Sequence, residues 1–173
     1  MIVFINGPFG VGKTSVAERL VTRLPDGFLF DPEMVGFFLR AVLTPIDPRD
    51  DFQDYPLWRE LTVLTARRLW ESYGRTLIIP MSIWREDFFH EVLGGLRALP
   101  VPVRHVCLTA PAETVYARLR QRGVRPGDWA WQRVEPCVQA FVSPRFDIRL
   151  ATEGKSVEQV ADDVYHVIQG TLE

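Results

Sequence analysis

The sequence predicts an α/β protein, a three-layer sandwich on a mostly parallel, five-stranded sheet. Three observations carry this. Short apolar runs alternate with longer helical patterns along the 173 residues. The runs are apolar at consecutive positions, as strands covered on both faces are. The first run passes through a glycine loop straight into a helix, the opening unit of such a sheet.

Taken in order, "IVFI" (Ile2–Ile5) reads as a buried strand, and a helix follows over about 13–24. "FLF" (Phe28–Phe30) is a second strand. It ends at "DPEMVGFFLRAVL", where Asp31 as N-cap and Pro32 at the first helical position start a helix. A loop rich in Pro and Asp leads to a helix over about 57–73, stopped by Gly74. "TLIIP" is the third strand, "EDFFHEVLGGLRAL" a helix, and "VRHVCLT" the fourth strand. "PAETVYARLRQR" is a helix entered through a proline, and "FDIRLAT" (146–152) a weak fifth strand. The last helix begins at Ser156, which forms a capping box with Gln159.

Composition narrows the class. The chain is 47% hydrophobic and 24% charged, in the range of soluble globular proteins. One domain spanning 1–173 fits that length. Twenty basic against 22 acidic residues give no overall pull toward nucleic acid. No apolar run approaches the roughly 20 residues that span a bilayer, and the apolar start runs into the glycine loop without a secretory leader. Cys107 and Cys137 match no metal-ligand spacing and are expected as free thiols in a reducing cytosol. His90, His105 and His166 are scattered, so no metal site besides the one on the nucleotide is suggested.

"GPFGVGKTS" (Gly7, Pro8, Phe9, Gly10, Val11, Gly12, Lys13, Thr14, Ser15) satisfies G-x-x-x-x-G-K-[ST] between a strand and a helix. Its glycines let the backbone turn N–H groups toward phosphate oxygens, and the helix adds its positive end. Lys13 would reach the β- and γ-phosphates, and the Thr14 hydroxyl would ligate Mg²⁺. A plain glycine turn is the alternative, and the strand–loop–helix context argues against it. A GTPase should carry N-K-x-D and D-x-x-G, and neither is present. A motor or transporter ATPase should end a central strand in Asp, whereas "TLIIPMS" does not.

The acid at a strand end is Asp31, after "FLF". Ligands of open α/β sheets bind beyond the carboxyl ends of the strands, so Asp31 would accept a proton from a substrate hydroxyl, or would cap its helix only. Arg118 and Arg122 lie four apart on one helical face, with Arg120 and Arg125 nearby and a Gly/Pro-rich stretch after them. They suit a lid over a phosphoryl group, about 118–135, or a solvated basic stripe. Trp129 and Trp131 would stack on a base or pack that lid. In "DDFQDYPLWRE", Gln53 offers hydrogen bonds to a uracil edge, Tyr55 or Trp58 a stacking face, and Arg59 a donor for a sugar oxygen. Phe37, Phe38 and Trp84 are candidates to line an apolar pocket for a lipid-like tail; core packing is the alternative for each aromatic.

"INGPFGVGKT", "DPEMVGFFLR", "DDFQDYPLWR", "LIIPMS" and "RLRQR", in this order and spacing, resemble the bacterial tunicamycin-resistance protein family over nearly the whole chain. "DDFQDYPLWR" is the most specific of these. More distantly, the layout is similar to that of P-loop small-molecule kinases for shikimate, gluconate, chloramphenicol and nucleoside monophosphates. The resemblance implies binding of ATP and of tunicamycin, a nucleoside antibiotic carrying uracil, sugars and a fatty chain. It implies that Asp31 and Arg40 handle the acceptor within a segment of about 31–73, and that Arg118 and Arg122 belong to the lid. Family relatives continue into a tail helix that attaches to membrane. Here the last helix carries Glu158, Asp162 and Asp163 on its polar face and no Lys or Arg, so a cytoplasmic protein without peripheral attachment is expected. Two functions stay open. The strand-end acid and lid arginines favour a kinase acting on tunicamycin or another nucleoside-like molecule. The lack of an acid after the third strand favours ATP-dependent sequestration of the drug.

Overall fold

The computed structural model describes residues 1–146 and 148–170. Five strands, β1 (Ile2–Asn6), β2 (Gly27–Leu29), β3 (Thr76–Pro80), β4 (Val103–Thr109) and β5 (Arg149–Ala151), form one sheet in the order β2-β3-β1-β4-β5. Every pairing is parallel. Among the described residues eight helices accompany them: α1 (Lys13–Arg23), α2 (Pro32–Leu43), α3 (Pro56–Tyr73), α4 (Glu86–Arg97), α5 (Ala112–Gln121), α6 (Trp129–Gln132), α7 (Val134–Ala140) and, after the last strand, α8 (Val157–Gln169). A single 3-10 turn, Phe52–Asp54, precedes α3.

Strand side chains alternate between two cores. Ile2, Phe4, Leu77, Ile79 and Cys107 point toward α2, α3 and α4. Val3, Ile5, Ile78, Val106 and Leu108 point toward α1, α5 and α8. These strands are buried on both faces, which is why their sequences read as unbroken apolar runs. α8 closes the second layer through its capping box and through ion pairs of Glu158 with Arg19 and of Asp162 with Arg23. Acidic side chains on its polar face are thus matched by α1.

The elements follow the sequence closely, with three differences. β2 is Gly27–Leu29, one residue earlier than "FLF", although the Phe30 N–H still donates to the Ile78 carbonyl at 3.0 Å. The fifth strand is shorter than 146–152, and Asp147 in that stretch lies outside the described residues. The short helices α6 and α7 were not expected.

Trp58 sits at the centre of the first core, fully buried, with its Nε1–H donating to the Pro32 carbonyl at 3.0 Å. It ties the start of α3 to the start of α2. Trp58→Ala is expected to destabilise the protein by about 3–5 kcal/mol, read as a lower denaturation midpoint at unchanged slope.

Candidate functional site

β1 is the switch point of the sheet, flanked by β3 on one side and β4 on the other, and the crevice beyond its carboxyl end is where such sheets bind ligands. Its last residue, Asn6, is fully buried and anchors that crevice. Asn6 Nδ2 donates to the Ile83 carbonyl at 2.9 Å, while Oδ1 accepts from the N–H groups of Ile83 and Gly7, each at 2.9 Å. The phosphate loop starts from this clamp. Gly7 has φ 145°, and a Cβ there would stand 2.4 Å from the Leu108 carbonyl oxygen. No side chain fits so close to β4.

Gly12, at φ 106°, leads into α1, which has no side-chain cap. The first N–H groups of α1 are therefore left for a ligand, and phosphate oxygens are the chemistry that fits. Lys13 Nζ folds back beneath the loop and donates to the carbonyls of Gly7 (3.0 Å) and Pro8 (2.8 Å). The ammonium end lies deep, and burial pulls its pKa down to about 8 from the usual 10.5. Thr14 is exposed on the first turn of α1, and Ser15 is half-buried beside it. Among the described residues no three His, Cys, Asp or Glu side chains gather to hold a metal by themselves.

Two pockets flank the Phe9–Gly12 stretch of the loop. One, of about 270 Å³, is bounded by Gly10–Gly12, Ser15, Arg118, Arg122, Thr152 and the start of α8. Arg118 is fixed there: Nη1 donates to the Val11 carbonyl at 3.0 Å and the Thr152 hydroxyl at 2.8 Å, and Nη2 donates to the Thr152 carbonyl at 2.9 Å. Arg122 is exposed at the same rim.

The second pocket, of about 470 Å³, lies on the other side of the loop, between α2 and the 3-10 turn. Phe9, Phe37, Phe52, Met81 and Trp129 give it apolar walls, and Glu33, Arg40, Asp51 and Gln53 give it polar groups. Gly36 sets its depth, since a Cβ at that position would meet the Phe52 ring at 2.5 Å. Burial raises the Glu33 carboxyl above its ordinary pKa; the nearby Asp31 adds to this and Lys13 opposes it. Asp51 is raised by burial as well, against the hydrogen bond from the Gln53 N–H. Trp129 meets Phe9 edge-on, with ring centres 5.3 Å apart, so the 118–135 segment leans over the loop.

Comparison with known proteins places this arrangement. Residues 2–135 match the family described as AAA domain. Along its length the chain matches the solved tunicamycin resistance protein of Deinococcus radiodurans at 34% identity and a TM-score of 0.82, covering 99% of this chain and 96% of that one. The chain belongs to the tunicamycin-resistance protein family. A sugar kinase from Janibacter sp. HTCC2649 matches at 18% identity and a TM-score of 0.71, covering 99% and 98% of the two chains. Shikimate kinase from Acinetobacter baumannii, solved with shikimate, matches at 14% identity and 0.69, covering 98% and 93%. These two likenesses show a shared P-loop kinase-like fold. No match was found among the curated proteins.

In this tunicamycin-resistance family member the sequence-predicted acceptor residues separate into three groups. Arg40 and Gln53 reach the second pocket. Arg40 Nη2 donates to the Asp50 carbonyl at 2.9 Å, and Gln53, 4% exposed, donates through Nε2 to the Ser82 carbonyl at 2.9 Å. Asp31 caps α2, its Oδ1 accepting from the Glu33 N–H at 2.9 Å. Tyr55, Trp58 and Arg59 lie beneath the pocket and offer it no ring or donor. Tyr55 is 2% exposed with its hydroxyl on the Asp47 carbonyl (2.6 Å), and Arg59 pairs with Glu91 and donates to the Gln53 carbonyl (2.6 Å). Their packing holds the loop that presents Gln53. Phe37 lines the pocket, whereas Phe38 is exposed outside it and Trp84 packs against the first core. Trp131 stacks at 4.4 Å on Tyr116, and the Arg120 guanidinium lies 4.9 Å from its ring.

Asn6, Glu33, Phe52 and Thr152 also shape the site, and sequence reasoning had not singled them out. Asn6 and Glu33 had a visible signal: a polar residue ending an apolar strand just before the loop, and a second acid two residues after Asp31. Both cysteines are free and buried, and burial pushes Cys107 up to about 12 and Cys137 up to about 11. They are inert thiols at neutral pH.

Proposed function

We propose that this protein is an ATP-dependent phosphotransferase that phosphorylates tunicamycin or a related nucleoside-like molecule. The observation that carries the reading is the pair of pockets on either side of one phosphate loop, a nucleotide side bearing Arg118 and Arg122 and an acceptor side bearing carboxylates. A protein that only held a nucleotide would have no use for the second.

In this reading Gly7–Ser15 wrap the triphosphate of ATP, and the uncapped start of α1 supplies N–H donors. Thr14 would hold Mg²⁺ together with phosphate oxygens, and the ion would neutralise phosphate charge. Asp31 takes the proton of the acceptor hydroxyl as its oxygen bonds to the γ-phosphorus and the bond to the β-phosphate oxygen breaks. Lys13, Arg118 and Arg122 neutralise the charge carried by the transferring group. Gln53 and Arg40 orient the acceptor, the pocket aromatics cover its flat faces, and Tyr55, Trp58 and Arg59 support the segment from below. The 118–135 segment closes as a lid.

One observation favours a second reading, in which ATP organises the site and the drug is held unmodified. β3 ends in Pro80, followed by buried Met81 and Ser82, with no carboxylate for the metal. Mass spectrometry of tunicamycin after incubation with the protein and Mg-ATP decides between them, with Lys13→Ala as control. A product heavier by one phosphoryl group, absent with the variant, is expected. Unchanged drug that co-purifies with the protein only when ATP is present would establish sequestration.

A further inference from the structure

α2 breaks the usual pattern of a surface helix. One side, Val35, Gly36, Leu39 and Leu43, packs on the core. The opposite side should then be polar. Instead Met34, Phe37, Phe38 and Val42 are 64%, 50%, 60% and 54% exposed, and Ile46 just beyond the helix is 79% exposed. Positions 34, 37, 38 and 42 share one helical face, so these side chains form a single apolar stripe. From Met34 to Val42 it runs about 12 Å along the helix. An exposed stripe of this kind marks a surface that something covers.

What covers it is indicated by where the stripe starts. Phe37 belongs to both surfaces: it lines the acceptor pocket and meets Phe52 edge-on at 6.0 Å, with an interplanar angle of 82°. The apolar wall of the pocket thus continues through Phe37 onto the open face of α2. The charge around it is the wrong sign for an anionic lipid surface. Asp47 follows Ile46 at the stripe's far end and Asp50 and Asp51 line the pocket, while Arg49 is paired with Asp47 and Arg40 turns inward to the Asp50 carbonyl.

We infer that the exposed apolar face of α2 seats the alkyl chain of an amphiphilic acceptor whose polar head occupies the adjoining pocket. This rests on the reading of that pocket as the acceptor site and adds to it a second, chain-binding surface. A pocket of about 470 Å³ holds a head group and leaves a long chain outside. The chain gains affinity by covering Phe38, Val42 and Ile46, each of which it shields from water. Fully burying a methylene is worth about fourfold in affinity, and one lying on an open face about half that free energy, or about twofold.

The test compares the affinity of tunicamycin with that of its nucleoside–sugar core lacking the fatty chain, on the wild type and on the Phe38→Ser, Val42→Ser variant. Both positions are exposed, and an unchanged circular dichroism spectrum confirms the variant's fold. The wild type is expected to bind the acylated form at least tenfold more tightly. In the variant most of that advantage disappears while the core binds as before. An equal advantage in both proteins would overturn the inference. So would a wild-type dimer that the variant converts to a monomer, because the stripe would then be an interface between copies. If neither compound binds, the acceptor reading fails and the chain surface is judged alone, by amide NMR with dodecyl maltoside below its micelle concentration. Shifts confined to α2 and lost in the variant would sustain it, and their absence would end it.

Discussion

Asp31→Asn is expected to lower phosphoryl transfer about 10²- to 10⁴-fold, the usual contribution of a positioned general base, with nucleotide affinity unchanged. The substitution isolates the charge. Asparagine caps a helix start as well as aspartate does, so the bond from the Glu33 N–H, and α2 with it, should persist. Single-turnover transfer and nucleotide titration on the same preparation read the two effects separately. Glu33→Gln belongs beside it, since Glu33 lines the acceptor pocket and its carboxyl is held above the ordinary range by burial. Full turnover in Asp31→Asn together with loss in Glu33→Gln would move the proton-accepting role two residues along the chain and leave Asp31 as a cap.

Nucleotide affinity is expected to weaken above pH 8, by about tenfold for each further unit of pH. The cause is Lys13, whose pKa burial lowers to about 8 in the protein without ligand. Bound phosphates stabilise the ammonium and raise its pKa in the complex. Below pH 8 the free protein already carries the proton, and this group adds no slope. Above pH 8 the free lysine is neutral, and binding must take up a proton that grows scarcer. Calorimetric titration between pH 7 and 10, in buffers of different ionisation enthalpy, measures both the affinity and the proton uptake. A flat affinity to pH 9.5 would mean that Lys13 is not the group sensing the phosphates. Folding stability should run the other way, because the folded pKa lies below the unfolded value of 10.5. The ligand-free protein gains stability as pH rises from about 8 toward 10.5.

The sheet was legible because its strands are apolar at consecutive positions, and only a doubly covered strand needs that. The loop was legible because its glycines and lysine answer to one geometry. The residues that proved hard were aromatic and charged side chains whose surroundings come from distant parts of the chain. Trp58 reads as a stacking platform next to Gln53 in sequence, yet its indole is claimed by the Pro32 carbonyl 26 residues away. Arg59 reads as a sugar donor, yet Glu91 on α4 takes it. The helices α6 and α7 hide in "WAWQRVEPCVQA" because each is short and Pro136 interrupts the pattern. The order of α7 comes from Val134, Cys137 and Phe141 packing into the interior, a tertiary gain that no local propensity records.

The contact between Gly36 and Phe52 has a bearing on how the protein can change. The space under α2 is reserved by the absence of one methyl group, and the ring that fills it is part of the acceptor wall. Residue 36 lies outside the lining of the pocket formed by the phosphate loop, Arg118 and Arg122. A lineage could therefore enlarge or shrink the molecule it accepts by exchanging side chains at 36 and 52 together, with the phosphate chemistry inherited intact. In the phosphotransferase proposed above, that separates the range of acceptors from the machinery that transfers the phosphoryl group.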